Sequence, residues 1–212
     1  MFDFTRLTLF LTAAVLLAIA PGPGILYVLA RSLAGGKREG ALSAFGTFLG
    51  GMVHVLAAAL GLSIILAKSA FAFAAVKYLG AAYLCLLGIR MILDARRDNT
   101  DPDAMLSVIQ PQRNPLWQGV ATEVLNPKTA LFFLSFIPQF VSHIGGHIFL
   151  QFVTLGTVSV VLNTTADLIV IALAAPIGTR IRSSPGFHRR QRTLTGAIMI
   201  GLGAYLATSE SK

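Results

Sequence analysis

Charge is what this sequence has least of. Asp, Glu, Lys and Arg together make up 12% of its residues, where a soluble globular domain carries about 25%. With so few charges and 55% hydrophobic residues, the chain cannot assemble a water-facing surface around a core of its size. That excludes a soluble enzyme, a disordered chain and most nucleic-acid-binding modules. Cysteine is almost missing too. Cys85 stands alone in an apolar run, so there is no intramolecular disulfide and no dithiol for an electron carrier. No Cys/His cluster suggests a metal, no GxxxxGK[ST] loop offers to cradle ATP phosphates, and no nucleophile–base arrangement is readable. The expectation is a protein without metal or cofactor that is not an enzyme. What remains is one polytopic membrane domain spanning residues 1–212.

Long apolar runs supply that domain. They cover about 7–30, 41–66, 70–93, 116–141, 148–175 and 194–207, and about 20 apolar residues cross a bilayer. The last is short and is expected to begin nearer Phe187 or to end in the interface. The longest hydrophilic stretch is 94–115, with Asp98, Asn99, Asp101, Pro102 and Asp103 in it. The first run ends its apolar core on Ala18-Ile19-Ala20, a small-residue pattern like a signal-peptide cleavage site. Pro21 after that bond suits a protease poorly, and Asp3 offsets Arg6, so the segment is expected to stay as a membrane span.

The net charge of +8 reflects topology rather than a nucleic-acid partner, because cytoplasmic loops collect Lys and Arg. After the first run come Arg31, Lys37 and Arg38; after the third, Arg90, Arg96, Arg97 and Arg113; after the fifth, Arg180, Arg182, Arg189, Arg190 and Arg192. Those twelve fall on one side, against Arg6, Lys68, Lys77 and Lys212 on the other. The asymmetry puts the basic loops in the cytoplasm and both termini outside.

The two halves look alike. The first run is interrupted by Pro21-Gly22-Pro23-Gly24 and the fourth by Asn126-Pro127-Lys128. At about 1.5 Å of rise per residue both interruptions fall near mid-membrane. The third and sixth runs share Leu79-Gly80-Ala81-Ala82-Tyr83 and Thr195-Gly196-Ala197-Ile198-Met199. An odd number of spans per half makes the halves oppositely oriented. The expected fold is therefore all-α: six transmembrane helices as two inverted three-helix repeats, about 1–93 and 116–212, with the first and fourth helices broken. Inverted repeats with broken helices at the midplane are a recurring plan of secondary transporters.

The chemistry concentrates at the breaks and at two acids. Proline removes a helix hydrogen bond and clashes with the preceding turn. The freed backbone groups must then face protein or a wet cavity, since lipid cannot satisfy them. One such break alone reads as a packing kink. Two at matching depth read as a site built from Pro21, Gly22, Pro23, Gly24, Asn126, Pro127 and Lys128. Of the nine acids only Glu123 and Asp167 lie within apolar runs, where a charge costs about 2.5–3.5 kcal/mol on the gentler insertion scale. Both come out roughly 10–12 Å below the cytoplasmic surface by helical rise, and they could line one cavity, with Lys128 a turn deeper. They suit a proton or an amine; the competing reading is a structural cluster of Asp167 with Asn163 and Thr164, or Glu123 capping the unwound helix. His54 reads as a helix–helix hydrogen bonder. Gly46 and Gly50 form a GxxxG, which serves packing within the chain and leaves a homodimer open.

These motifs resemble the LysE-type amino-acid exporters, in particular their homoserine/threonine (RhtB-like) branch. The likeness rests on Ala20-Pro21-Gly22-Pro23-Gly24 with Gly35, Gly40, Gly46 and Gly50 behind it, on 125–133 from Leu125-Asn126-Pro127-Lys128 onward, on Pro138-Gln139-Phe140, and on Thr195-Gly196-Ala197 and Gly201-Leu202-Gly203. It covers nearly the whole chain apart from 94–115. It implies a small multi-pass exporter in the bacterial inner membrane, driven by the proton motive force, with an amino acid or related metabolite as substrate and the lipid bilayer as its surroundings. In that reading Pro21–Gly24 and Asn126–Lys128 form the midplane site, backbone amides and Lys128 meet the substrate carboxylate, and Glu123 or Asp167 takes the ammonium or a proton. A membrane-embedded electron carrier or assembly factor, and a passive channel, are the competing classes. Flux against a gradient excludes the channel.

Overall fold

The computed structural model describes residues 4–68, 70–96, 114–142, 147–182 and 185–208. Most of the hydrophilic connection 94–115, His143 and both chain ends, Asp3, Glu210 and Lys212 included, lie outside the described residues. Among the described residues every regular element is helical: α1 (Phe4–Ile19), α2 (Pro23–Lys68), α3 (Ala70–Arg96), α4 (Pro115–Val124), α5 (Pro127–Leu131), a π-helical turn (Phe132–Phe136), a 3-10 turn (Ile137–Phe140), α6 (Ile148–Arg182) and α7 (Pro185–Thr208).

Both expected breaks are present. α1 stops at Ile19 and α2 starts at Pro23; α4 stops at Val124 and α5 starts at Pro127. Each proline takes the first helical position, where its missing N–H costs nothing. Between the first two apolar runs the sequence suggests a polar loop. The chain is helical there instead, on both sides of one residue: Gly36 has φ 73° and ψ −170°. A residue without Cβ takes that conformation freely, so a single glycine turns the arm 23–35 into the long helix 37–68.

Among the described residues three helices are long and apolar enough to cross a membrane, over Pro23–Gly61, Lys77–Ala95 and Ile148–Ala174. The pair Pro115–Val124 and Pro127–Phe140, bent by 44°, makes a fourth. Thr5–Ile19 and Thr193–Thr208 are apolar but shorter. At 16 residues, α1 reaches about 24 Å, less than the ~30 Å hydrocarbon core; it crosses only together with the arm that follows Pro23.

Close contacts give the helix directions. Gly51 lies against Val160 and Gly156 against Val55, so α2 and α6 run antiparallel. Gly88 lies against Gly196, and Gly203 against Ala81 and Cys85, so α3 and α7 are antiparallel as well. Gly46 lies against Leu116 and Gly119, and Gly50 against Val120 and Glu123, so α2 and α4 run parallel. The GxxxG of α2 is thus spent on contacts within the chain. The main core joins α1, α2, α6 and α7 around Phe10, Phe132, Phe133, Phe136, Phe140, Phe152 and Met199. Large apolar side chains such as Ile19, Leu60, Phe71, Leu79 and Leu125 point outward. On a soluble protein such a surface would demand a partner; for these helices a bilayer is the partner.

Candidate functional site

The first break leaves the last carbonyls of α1 without helical donors. Lys128 meets them: its Nζ donates to Leu17 O at 3.0 Å and to Ala20 O at 2.8 Å. An ammonium at a helix C-terminus also faces the negative end of the helix dipole. Glycine makes room for it, since a Cβ on Gly22 would stand 3.0 Å from Lys128 Cε. At the start of α2, Leu26 N donates to Gly22 O at 3.0 Å. Gly22 has no side chain with which to cap, and the amides of Gly24 and Ile25 have no acceptor inside their own helix.

The second break is capped by its own residues. Asn126 Oδ1 accepts from Lys128 N at 3.1 Å, and Asn126 Nδ2 donates to Glu123 Oε2 at 3.0 Å. Thr129 Oγ1 donates to Glu123 Oε1 at 2.6 Å. The Glu123 carboxylate therefore closes over the break in its own span, and it also lies against the first one: a Cβ on Gly24 would stand 2.5 Å from Oε2. Two glycines thus let a lysine and a glutamate from one break pack directly on the backbone of the other. His54 Nε2 donates to the backbone O of Glu123 at 3.0 Å, a helix–helix bond as expected.

Asp167 is buried on α6 and faces Thr47 of α2. Thr47 Oγ1 lies 2.9 Å from Asp167 Oδ2 and 2.9 Å from Ala44 O. A hydroxyl has one proton and can also accept. If Asp167 is ionised, Thr47 donates to it. If Asp167 carries a proton, it donates to Thr47 Oγ1, and the threonine proton turns to Ala44 O. Both protonation states are hydrogen-bonded without moving a heavy atom. Asn163 and Thr164, the partners weighed for a structural cluster, line the same space, with Thr164 Oγ1 turned to Val160 O at 2.9 Å.

Glu123, Asn126, Lys128, Asp167 and Thr47 border one cavity with Gly24 and Ile25. It offers about 20 Å³ to water centres, enough for about one water and too small for an amino acid. Of the residues expected at the site, Pro21, Gly22, Pro23 and Pro127 border a different, apolar space on the far side of the breaks, and Lys128 borders both.

Two side-chain clusters lie beyond the cavity, toward opposite ends of the helices. Toward the end of α4 that carries Pro115, Arg31 is buried and ties both limbs of α2, on either side of Gly36, to α4. Its Nη2 donates to Gln118 Oε1 at 2.6 Å, its Nε to Tyr27 Oη at 3.3 Å, and its Nη1 pairs with Glu39 at 3.2 Å. Tyr27 Oη donates to Pro115 O at 2.7 Å. Toward the opposite end, Phe10, Phe132, Phe136 and Phe140 pack in a row with ring centroids 5.0–5.5 Å apart, as edge-to-face, stacked and tilted pairs. There the chain leaves α-geometry for the π and 3-10 turns, a distortion frequent at functional sites. Charge counting treated Arg31 as a loop residue; Thr47 and Gln118 gave no signal. The i, i+4 pairing of Tyr27 with Arg31 is the hint that was available.

The description "LysE type translocator" belongs to a family model that matches residues 15–210. An uncharacterized membrane protein of Pseudomonas aeruginosa is 36% identical, with 94% of each chain covered. Another from Vibrio cholerae is 32% identical over 95% of this chain and 96% of its own. A leucine efflux protein of Klebsiella pneumoniae is 29% identical over 95% of this chain and 94% of its own. No solved structure matches the chain.

Proposed function

The chain belongs to the LysE-type translocators, a transporter and not an enzyme, and from that premise we propose that it exports amino acids across the bacterial inner membrane in exchange for protons. Relatives named for leucine efflux support amino-acid export at the coarse level. The observation that carries the finer reading is the meeting of both helix breaks with Glu123, Lys128 and Asp167 around one cavity.

The amides of Gly24 and Ile25, at the positive end of α2, suit a substrate carboxylate. Glu123 suits its ammonium. Asp167 carries the proton, with Thr47 providing a bond to either state. Lys128 holds the two breaks together through Leu17 and Ala20, so a substrate carboxylate that draws the ammonium away also loosens the first break. The substrate needs more room than the cavity gives, so the cycle passes through states in which one seal opens: the Arg31 network on the cytoplasmic side, the phenylalanine stack on the other.

Six spans in two inverted repeats accommodate this cycle. The antiparallel pairing of α2 with α6 and of α3 with α7 supports a two-fold axis in the membrane plane. So does a reciprocal contact: Gly88 meets Ile200 as Gly196 meets Ile92.

Cells loaded with dipeptides, with and without this gene, test the function. Efflux of one or more amino acids against their gradient, abolished by a protonophore, is the expected result. Equilibration without accumulation would instead mark a channel. A cytoplasm-only reporter fused after Lys212 should be silent if both termini are outside; an active fusion means a flipped chain or an odd number of spans.

A further inference from the structure

The apolar space behind the breaks is a feature that the reading above leaves without a task. It offers about 210 Å³ where the polar cavity offers about 20 Å³. Its walls are Pro21–Pro23 and Pro127 on one side and Met91, Thr195 and Met199 on the other. Met91 comes from α3, and Thr195 and Met199 from α7. These two helices contribute nothing to the polar cavity. Met199 is fully buried and lies at the inner wall of this space.

The two spaces share one partition. The Lys128 side chain borders both. Its stem lies against Gly22 and its Nζ is bonded to Leu17 O and Ala20 O. Residues on either side of the breaks alternate between the spaces: Gly24 and Asn126 face the polar one, Pro23 and Pro127 the apolar one. A molecule held at the break thus has charged partners in one direction and mostly apolar walls in the other. That is the division of an amino acid into its charged head and its side chain.

We propose that the chamber between the breaks and Met91, Thr195 and Met199 is the side-chain subsite of the exported amino acid, and that it selects neutral amino acids with aliphatic or phenyl side chains. The proposal rests on the amino-acid-export reading above and specifies its substrate class. Apart from Lys128, whose ammonium is already bonded to Leu17 O and Ala20 O, and Thr195, the walls are apolar, so a charged side chain is disfavoured by the cost of burying it. Methionines are flexible and polarisable and repack around different shapes, so the chamber grades side chains by size rather than admitting one. Each buried methylene is worth about fourfold in affinity. Leucine is therefore favoured over alanine by at least about tenfold.

The test is counterflow in proteoliposomes containing the purified protein, with labelled alanine, leucine, phenylalanine, lysine and aspartate, read as ratios between substrates. The unmodified protein should favour leucine over alanine by about tenfold or more and reject lysine and aspartate. Met199→Trp fills the chamber and should lower the leucine-to-alanine ratio about tenfold. Met199→Ala and Met91→Ala enlarge it and should raise the phenylalanine-to-leucine ratio. If Met199→Trp does not fold, the two alanine variants carry the test, because a gain in relative phenylalanine transport cannot come from damage. Ratios unchanged in the alanine variants overturn the subsite while leaving amino-acid export standing; that result fits a chamber occupied by a lipid chain. A preference of the unmodified protein for lysine or aspartate does the same. If it exchanges no amino acid at all, the export reading falls and the subsite with it.

Discussion

The two helix breaks have similar proline chemistry and opposite roles. The break at Asn126–Pro127 carries its own side chains: Asn126 caps α5 and bonds Glu123, which in turn accepts from Thr129. The break at Pro21–Pro23 carries glycines and prolines only. Its carbonyls are met by Lys128 from the other break, and its first amides in α2 have no acceptor within their own helix. One half supplies reactive side chains and the other supplies exposed backbone. Two similar interruptions thus make one asymmetric arrangement, and in the proposed cycle a substrate would compete with the contacts that hold the two breaks together.

The strongest way to break this comparison is at Lys128. Lys128→Met leaves the buried carbonyls of Leu17 and Ala20 without their ammonium, at about 1–3 kcal/mol for each polar group left unpaired. Efflux should fall by about a hundredfold or more, and the melting temperature of the purified protein should drop. Efflux at the normal rate would mean that the first break does not depend on the second. Next in size, Pro21→Ala combined with Pro127→Ala should restore helical hydrogen bonds and close the backbone site. Transport should fall roughly tenfold or more with normal membrane levels, since a helix-interior proline perturbs by ~3 kcal/mol; unchanged export reduces both prolines to packing kinks.

Asp167→Asn sharpens the comparison by separating binding from coupling. It keeps the shape and the bond to Thr47 but cannot change charge. Exchange of substrate should persist, while accumulation driven by a pH gradient should be lost. Glu123→Gln is the control, and a coupling defect there with normal Asp167→Asn moves the proton role to the second break. The smallest effect is expected at the seal. Arg31→Gln removes the ion pair with Glu39 and weakens the bond to Gln118, so substrate leak without a proton gradient should rise a few-fold. Leak measured in empty and loaded vesicles decides it.

Much of this architecture is written in local chemistry. Pro21, Pro23 and Pro127 announce breaks because a ring without an N–H has few places in a helix. Glu123 and Asp167 stand out because acids are rare in apolar runs. What the chain alone conceals is who meets whom. Arg31 looks like any loop cation when charges are counted by side, yet it is buried between Tyr27, Gln118 and Glu39. Thr47 is one of many small polar residues until α6 brings Asp167 to 2.9 Å. Met91 and Met199 look like ordinary core positions, because a cavity is a property of spacing between helices and leaves no trace in residue type. The turn at Gly36 was hidden for the opposite reason: basic residues around it suggested a loop where one glycine suffices.

The seals at the two ends differ in a way that reaches the kinetics. One is a knot of hydrogen bonds and an ion pair around Arg31; the other is stacked phenylalanine. Opening the first trades protein partners for water, and ionic strength screens what is being broken. Opening the second wets apolar surface, which carries a positive heat-capacity change. The two halves of the cycle therefore answer to different dials. Salt should tune the opening of the first. The opening of the second should give a curved Arrhenius plot, so that warming or cooling exchanges which of the two limits the turnover.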